Sequence, residues 1–376
     1  MLKSLFGPTL DLQLGVYISF PFCRQKCTYC NFASGVFSDD LRTRYLAALE
    51  REIDGSSTPE TVYLGGGTPS LLDPNELRRL LEPLSGDWKE ATIEASPGDI
   101  HPDLAASWAK VGINRVSLGV QSFDPAVAAR AARKHTPETV ASEIAELRKA
   151  GITRISVDLI AGLAGQTDST WRASLDWVER LGVEHASVYM LEVDDESRLG
   201  EEIRTGGKRY GAQTVPSDDQ IADFYELAVE RLAAMGLGRY EISNFARPGA
   251  ESLHNLKYWT MQPYFGFGAD AHSFDGQHRW GNARTAAEYV ARADQGQSLR
   301  ASAETIDEDQ RLQDLVLTGL RTIEGVHLPP AAVPKLEPVL GALAARGWIE
   351  RPHREHIRLT SAGLLFANDA IEELVW

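Results

Sequence analysis

Three cysteines, Cys23, Cys27 and Cys30, lie close together near the start of the chain, and the sequence contains no others. Their C-x3-C-x2-C spacing lets one loop surround a single inorganic centre, and clustered thiolates typically bind zinc or an iron-sulfur cluster. A tetrahedral structural zinc site needs a fourth protein ligand, and the loop contains no histidine. A four-iron cluster held by three cysteines instead leaves one iron open to a small molecule. The spacing favours the cluster, with zinc as the alternative.

The elements around the cysteine loop are predicted to follow a repeated β/α pattern. A strand over 14–20 ends at Pro21, and the loop follows it directly. Five more strands are predicted near 61–64, 91–95, 114–120, 153–160 and 185–191. The helices are predicted near 41–53, 74–84, 101–111, 137–150 and 169–181. Six such units predict a parallel sheet with right-handed crossovers.

Several polar or glycine-rich segments follow the carboxyl ends of these strands. The glycine run 65–67, with Thr68, follows the second strand, and Glu94, Gln121 and Asp158 end the third, fourth and fifth. In parallel α/β folds the ligand binds at this end of the sheet. Each residue alone could belong to a turn or a helix cap. Their joint position beside three thiolates predicts a ligand site on one rim.

Five features of the sequence point to one family: the cysteine motif, GGGTP at 65–69, EASP at 94–97, VSLGVQSF at 116–123, and Asp158. Together they resemble the radical S-adenosylmethionine (SAM) enzymes of the oxygen-independent coproporphyrinogen III oxidase group. The resemblance implies an α/β fold with a partial (β/α)6 barrel. It also implies that the three cysteines hold a 4Fe-4S cluster, whose open iron is chelated by the amino and carboxylate groups of SAM.

The resemblance also implies which residues contact SAM: Tyr17, Tyr29, Gly66, Gly67, Thr68, Glu94, Gln121, Arg133 and Asp158. Tyr29 would pack against the adenine, and Glu94 would accept hydrogen bonds from the SAM ammonium or ribose hydroxyls. The planar guanidinium of Arg133 suits the SAM carboxylate. An electron delivered to the cluster would cleave SAM to methionine and a deoxyadenosyl radical, and this chemistry belongs to the cofactor.

Two branches of this family differ near the cysteines. The porphyrinogen-oxidising branch has a fourth cysteine two positions after the third and a longer N-terminal arm, whereas this chain has Phe32 there and only 22 residues before Cys23. Three later motifs resemble the haem-chaperone branch instead: YEISNFA at 240–246, HNLKYW at 254–259 and GFGADAHSF at 266–274. Members of that branch are regarded as binding haem and passing it to apo-proteins.

In the haem-chaperone branch the HNxxYW motif is proposed to hold haem, which makes His254, Tyr258 and Trp259 the haem candidates. Imidazole is the usual axial ligand of haem, and the two aromatic rings could cover a porphyrin face. The ordinary alternative is a loop histidine beside core aromatics. His272 is a lesser candidate in a glycine-rich loop that could equally close the open side of the barrel.

The sequence predicts a haem chaperone that carries a 4Fe-4S cluster and SAM. Its partners would be haem, haem-accepting apo-proteins and an electron donor. The runner-up is a radical SAM enzyme that oxidatively decarboxylates coproporphyrinogen III or acts on another substrate, although Phe32 disfavours the oxidase. Whether the chain catalyses any reaction therefore stays open at this point. A third hypothesis is a zinc-stabilised adaptor without SAM chemistry.

Three regions are predicted along the chain: the barrel at 12–205, a linking region with the HNxxYW motif at 206–297, and a C-terminal α+β module at 298–376. The linking region contains an amphipathic helix over 221–235. The last region contains three helices and a small hairpin formed by 348–350 and 357–359, which is typical of a winged-helix-like module.

Composition sets the outer limits of these hypotheses. A formal net charge of -15 argues against generic binding to nucleic acid or to an anionic membrane. There is no leader pattern and no uninterrupted apolar run long enough to span a bilayer. Because all cysteines lie in one loop and none is left for a disulfide framework, we expect a cytoplasmic protein. Peripheral membrane contact and a homodimer are compatible with this sequence.

Overall fold

The computed structural model describes residues 14–55, 58–84 and 86–375, so the predicted barrel start at 12 and the chain end at 376 lie outside the described residues. The strands are β1 Gly15–Phe20, β2 Thr61–Gly66, β3 Glu90–Ala95, β4 Arg115–Gln121, β5 Arg154–Ala161, β6 His185–Met190, β7 Gly238–Arg239, β8 Asn244–Ala246, β9 Tyr264–Phe267, β10 His272–Phe274, β11 His278–Asn282, β12 Arg300–Thr305, β13 Val326–His327, β14 Ile349–His353 and β15 His356–Leu359.

The α-helices are α1 Asp39–Glu52, α2 Pro74–Leu81, α3 Pro102–Lys110, α4 Pro125–Arg130, α5 Pro137–Lys149, α6 Asp168–Leu181, α7 Arg198–Arg204, α8 Asp218–Ala234, α9 Leu253–Trp259, α10 Ala286–Asp294, α11 Glu308–Gly319, α12 Val333–Ala345, α13 Ser361–Leu365 and α14 Ala367–Leu374. Short 3-10 turns occur at Pro69–Leu71, Glu82–Leu84 and Arg209–Thr214. Local sequence explains several helix starts, because Asp73 and Thr167 form capping boxes at α2 and α6.

Strands β1 to β6 lie side by side in chain order and are all parallel. Each is connected to the next through at least one helix, and each lies within a few residues of its predicted position. The predicted α/β fold with a partial (β/α)6 barrel is confirmed. The cysteine loop follows β1, so it lies at the carboxyl end of the barrel, as the sequence predicted.

Side chains alternate between the two faces of the barrel strands. In β1, Val16 and Ile18 pack in the apolar core, whereas Tyr17 and Ser19 line a pocket on the inner side. Buried parallel strands are usually apolar on both faces. The polar inner face therefore indicates that the interior of this barrel is more than a packed core.

The region predicted as a linker adds strands to both edges of the barrel sheet. Strand β9 pairs in parallel with β1 and is followed by the antiparallel strands β10, β11 and β12, while β8 and β7 extend the sheet beyond β6. The region also shares the core of the barrel through Phe224, Phe245 and Tyr289. The sequence analysis missed these strands because they are short and several contain glycine, which weakens the alternation that marks a strand.

Helix α9 closes the amino end of the barrel. The fully buried Glu90, which begins β3, accepts hydrogen bonds from the backbone N–H groups of Leu253 at 3.2 Å and His254 at 3.0 Å. It also accepts from Ser252 Oγ at 3.3 Å, and the guanidinium of Arg115 lies 3.5 Å away. A carboxylate here satisfies N–H groups that have no partner within the helix. This contact holds the HNxxYW motif at the end of the barrel opposite the cysteine loop.

The C-terminal region has its own apolar core, built from α11, α12, α14 and the strand order β13-β15-β14. The predicted hairpin is confirmed, because β14 and β15 pair antiparallel. Membership of the winged-helix class stays a prediction. The backbone attaches this module to the rest of the chain through Ile242 N–H to Arg321 O at 2.9 Å and Ile323 N–H to Tyr240 O at 3.2 Å.

None of the helices in the described part of the chain combines the length and apolar character needed to cross a bilayer.

Replacing Glu90 with alanine should lower the free energy of unfolding by about 3 kcal/mol, because Arg115 would become a buried charge without its carboxylate. Urea denaturation followed by circular dichroism measures the change. The matched control is Glu350→Ala, which breaks an exposed ion pair with Arg358 and should cost no more than about 1 kcal/mol. Equal urea midpoints for the two variants would show that Glu90 does not stabilise the amino end of the barrel, which we call the barrel floor.

Candidate functional site

The cysteine loop is held by backbone and side-chain contacts at both of its ends. Cys23 N–H donates to Gly35 O at 2.8 Å, and Gly35 N–H donates to Pro21 O at 2.9 Å. In the middle of the loop, Thr28 Oγ1 donates to Arg130 O at 3.1 Å, and Leu199 N–H donates to Thr28 O at 2.8 Å. The loop is therefore fixed against α4 and α7 rather than only against the strand that it follows.

The three thiols are free and half-buried. Burial raises the pKa of the Cys23 thiol, while hydrogen bonds from Thr68 and Ser34 act in the opposite direction. Among the described residues, no group of three or more His, Cys, Asp or Glu side chains is close enough to hold one metal ion.

The glycine segment after β2 contacts the start of the cysteine loop. Gly67 N–H donates to Phe20 O and Thr68 N–H donates to Phe22 O, both at 2.9 Å. A Cβ atom on Gly67 would lie 2.7 Å from the carbonyl carbon of Pro21 and 2.8 Å from Phe22 N. Only glycine permits this approach of two backbones. Gly66 adopts a φ of 102°, a conformation that other residues rarely adopt.

Glu94 lies at the inner side of the same rim. Its Oε1 accepts a hydrogen bond from the hydroxyl of Tyr63 at 2.9 Å, and it also interacts with the backbone N–H of Gly66. Burial raises the pKa of the Glu94 carboxyl to about 7, although the hydrogen bond from Tyr63 acts against this increase. The carboxyl group is therefore poised to change charge near neutral pH.

Arg133 reaches from the α4–α5 loop to the cysteine loop. Its Nη1 donates to Ser96 Oγ at 2.8 Å, and the guanidinium also hydrogen-bonds Tyr29. A Cβ atom on Gly119 would lie 3.1 Å from Gln121 Nε2 and 3.2 Å from Arg133 Nη2, so the missing side chain of Gly119 leaves room for both. Gln121 itself has a left-handed φ of 68°, which is strained for a residue other than glycine.

Two buried polar atoms in this part of the rim lack hydrogen-bond partners within the described residues: Gln121 Oε1 and Arg133 Nε. More than nine in ten buried polar groups in proteins are paired. The two atoms lie on side chains that approach each other, which is the arrangement expected where a polar ligand completes the hydrogen bonding.

Asp158 is held by three serine hydroxyl groups. Ser117 Oγ donates to its two oxygens at 3.0 and 2.9 Å, Ser187 Oγ donates at 2.8 Å and Ser156 Oγ at 3.2 Å. Burial raises the pKa of the Asp158 carboxyl, and the serine hydrogen bonds moderate the increase. Asp158 also raises the pKa of Glu94, so the two carboxyl groups face the same interior.

Tyr17 lies on the inner face of β1, and its ring stacks on that of Tyr63 with centroids 6.1 Å apart. It lines a pocket of about 270 Å³ together with Gly66 and residues of the cysteine loop. Of the nine predicted SAM contacts, seven lie at the carboxyl end of the barrel, namely Tyr29, Gly66, Gly67, Thr68, Glu94, Gln121 and Arg133, whereas Tyr17 and Asp158 lie within β1 and β5. Their individual roles toward SAM stay predictions.

The HNxxYW motif lies elsewhere. His254 is 0% exposed, and both of its ring nitrogens are hydrogen-bonded, Nδ1 to Thr61 Oγ1 at 2.9 Å and Nε2 to the Tyr258 hydroxyl at 2.8 Å. Burial lowers the pKa of His254 to about 3, so the ring is neutral. In this arrangement His254 offers no nitrogen to a haem iron. Trp259 is half-buried, whereas Tyr258 reaches the pocket described above.

Sequence reasoning missed several residues that organise the site, among them Tyr63, Ser96, and the three serines around Asp158. The signal that could have found them is the two-residue period of a strand, because Ser156 precedes Asp158 by two positions and therefore shares its face. Their partners on neighbouring strands depend on the sheet register, which the sequence does not show directly.

The comparisons with known proteins agree with this geometry. The radical SAM superfamily matches residues 17–178, and the fold and the site together define a radical SAM protein. The heme chaperone HemW of Bacillus subtilis (strain 168) is 33% identical over 94% of this chain and 97% of its own. The heme chaperone HemW of Mycobacterium tuberculosis (strain ATCC 25618 / H37Rv) is 34% identical over 98% and 96%. The chain belongs to the HemW family.

A solved structure shows the same fold. The coproporphyrinogen III oxidase HemN of Escherichia coli, a radical SAM enzyme, matches with a TM-score of 0.84 over 96% of this chain and 90% of its own chain. Its sequence identity is 22%, so the likeness concerns the architecture.

Membership of the radical SAM superfamily implies a 4Fe-4S cluster and SAM, and the residues of this site fit both groups. Three free thiols share one loop that is anchored to β1, α4 and α7. Beside them lie a carboxyl group, a guanidinium and unpaired buried polar atoms, which suit a ligand with amino, carboxylate and hydroxyl groups.

Gly67→Ala should reduce the iron that the protein incorporates during anaerobic reconstitution, because the new Cβ atom would displace the backbone that leads into the cysteine loop. Iron and sulfide analysis per chain measures the loss, and the melting temperature should also fall. The control is Gly341→Ala in α12, where the added Cβ atom meets nothing within 4 Å. Normal iron content in the Gly67 variant would contradict the proposed dependence of the loop on this contact.

Proposed function

We propose that this protein is a haem chaperone that binds haem and delivers it to apo-proteins. The observation that carries the proposal is an identity of 33–34% to heme chaperones HemW over nearly the whole of both chains. The pocket on the inner side of the barrel supports it, because its aromatic walls suit a flat apolar ligand.

A 4Fe-4S cluster on Cys23, Cys27 and Cys30 and SAM on the adjacent rim are part of this proposal. When bound, they supply one-electron chemistry on SAM. Arg133 would bind the SAM carboxylate, Glu94 would accept from its ammonium group or ribose hydroxyls, and the backbone at Gly66 and Gly67 would lie against its methionine part. Tyr29 is hydrogen-bonded to Arg133, which would orient the guanidinium.

Oxidative decarboxylation of coproporphyrinogen III is the less favoured function. The position that carries a fourth cysteine in the oxidase branch is Phe32, and its side chain is 66% exposed at the mouth of the pocket. An exposed aromatic residue there can cover a bound ring, whereas it cannot ligate iron. The electron donor, the recipient apo-protein, a homodimer, peripheral membrane contact and a cytoplasmic location stay predictions.

Titration of the purified protein with haem should give a saturable shift of the Soret band at about one haem per chain, with a dissociation constant of about 1 μM or tighter. Mixing the loaded protein with apomyoglobin should then produce the myoglobin spectrum, because a chaperone must release its cargo. Formation of protoporphyrinogen IX from coproporphyrinogen III, SAM and a reductant would instead support the oxidase. The absence of any Soret shift would rule out the chaperone function.

The affinity of the reconstituted protein for SAM should increase about tenfold between pH 6 and pH 8, because the Glu94 carboxyl ionises with a pKa of about 7 and then accepts stronger hydrogen bonds from the SAM amino group or ribose hydroxyls. The same raised pKa means that the contribution of Glu94 to folding stability is present at acidic pH and is lost as the pH rises through 7. Equilibrium dialysis with SAM measures the affinity.

Glu94→Gln should remove most of this pH dependence. The control is Glu241→Gln, since burial also raises the pKa of Glu241 to about 7, but this carboxylate accepts from Ser243 N–H at 3.2 Å and is not among the SAM candidates. An unchanged pH profile in the Glu94 variant would remove Glu94 from the SAM site.

A further inference from the structure

The pocket of about 270 Å³ lies between the cysteine loop and the strands added at the β1 edge of the barrel. Phe32 forms its outer side, Tyr17 its inner side, and Tyr258 and Tyr264 a third wall. The last two rings meet edge to face with centroids 4.6 Å apart. One histidine, His272 of β10, also lines this pocket. The pocket therefore combines flat aromatic surface with a single imidazole.

His272 is available to a ligand. It is exposed, and no hydrogen bond to either of its ring nitrogens is found within the described residues. Its cross-strand partner on β11 is Gly281, where a Cβ atom would lie 3.1 Å from His272 Cε1 and 3.2 Å from Nδ1. The absence of a side chain at Gly281 gives the imidazole the space that it occupies.

The HNxxYW motif contacts the same pocket through Tyr258 rather than through His254. The Tyr258 hydroxyl is hydrogen-bonded to His254 Nε2, and the His254 ring stacks on Tyr63 with centroids 5.2 Å apart. His254 thus fixes the orientation of Tyr258 through this hydrogen bond, and the Tyr258 ring packs edge to face against Tyr264 at the pocket wall. The buried histidine of the motif is a positioning residue in this arrangement.

We propose that His272 is the axial ligand of the haem iron and that the aromatic pocket receives one edge of the porphyrin. The inference rests on the proposed function, because haem is its cargo. The walls formed by Phe32, Tyr258 and Tyr264 bury the apolar edge of the macrocycle. Asp270 also lines the pocket, and its negative charge would repel the haem propionates, so we expect the propionate edge to point to solvent.

The site also lies next to the cluster loop. Ser34 lines the pocket, and its Oγ is 3.9 Å from Cys30 Sγ. Haem bound here would therefore rest against the loop that carries the thiols and would cover Phe32. This position differs from a site on the barrel floor, where His254 is enclosed by Thr61, Tyr63 and Tyr258.

The test is a haem titration of the wild-type protein and of His272→Ala, followed by absorption and resonance Raman spectra of the complexes. The variant should bind haem about tenfold or more weakly and should lose the spectrum of histidine-ligated iron. Addition of free imidazole should restore that spectrum, because the pocket and its aromatic walls are intact. Circular dichroism and iron content report whether the variant folds and loads its cluster normally.

The matched control is His278→Ala, another exposed histidine on the same set of strands, whose Nδ1 pairs with Asp275 at 2.9 Å. It should bind haem like the wild type. Wild-type affinity and spectrum in His272→Ala, an equal loss in both variants, or a loss that imidazole does not restore would each overturn the inference. A wild-type protein that binds no haem would instead overturn the proposed function itself.

Discussion

The interior of the barrel holds carboxyl groups and hydroxyls that are removed from water, and each must find a partner there. At the amino end, Glu90 is satisfied by Arg115 and by the first N–H groups of α9. In the middle, three serines satisfy Asp158. A buried polar group without a partner costs about 1–3 kcal/mol. Glu90 and Asp158 are therefore satisfied without a ligand, although Thr92 Oγ1 and Arg115 Nη2 at the amino end are buried without a hydrogen-bond partner within the described residues.

At the carboxyl end of the barrel, unpaired polar atoms occur together with a strained backbone. Gln121 and Arg133 each retain a buried atom without a partner among the described residues, and Gln121 adopts a strained backbone conformation. Backbone strain of this kind is typically retained at functional sites. At Gln121 the strained backbone and the unpaired buried atom coincide, and this combination marks the rim beside Arg133 as a place for a polar ligand.

The HNxxYW motif begins at the amino end of the barrel, and the full pairing of His254 there changes how the motif is interpreted. His254 uses both ring nitrogens inside the protein, so its chemistry is to hold Tyr258 and to fill the space beside Tyr63. The residue that a ligand can reach is His272, which lies on a strand that the sequence analysis did not predict. A motif can thus be required for a binding site without supplying the contacting atom.

Much of the architecture follows from the sequence alone. Six strands and their helices were predictable because alternating and helical periods are local properties, and the thiol loop, the glycine segment, Glu94 and Gln121 lie at strand ends that meet at one edge. Asp158 was predicted to end its strand, but it lies in the interior of β5. The resemblance added Arg133, Tyr29 and Tyr17, which no local pattern would have selected.

Only the tertiary structure decided the remainder, since it depends on contacts between distant segments. The strands at 238–305 are short and gain their register from β1 and β6 rather than from their own pattern. The serines around Asp158, the burial of His254 and the open position of His272 likewise arise from pairing across strands and from the docking of α9 on Glu90. The sequence by itself determined which chemical groups lie at the cluster end of the barrel. Packing decided which histidine faces a ligand, because the burial and the hydrogen bonding of a side chain depend on its neighbours in space.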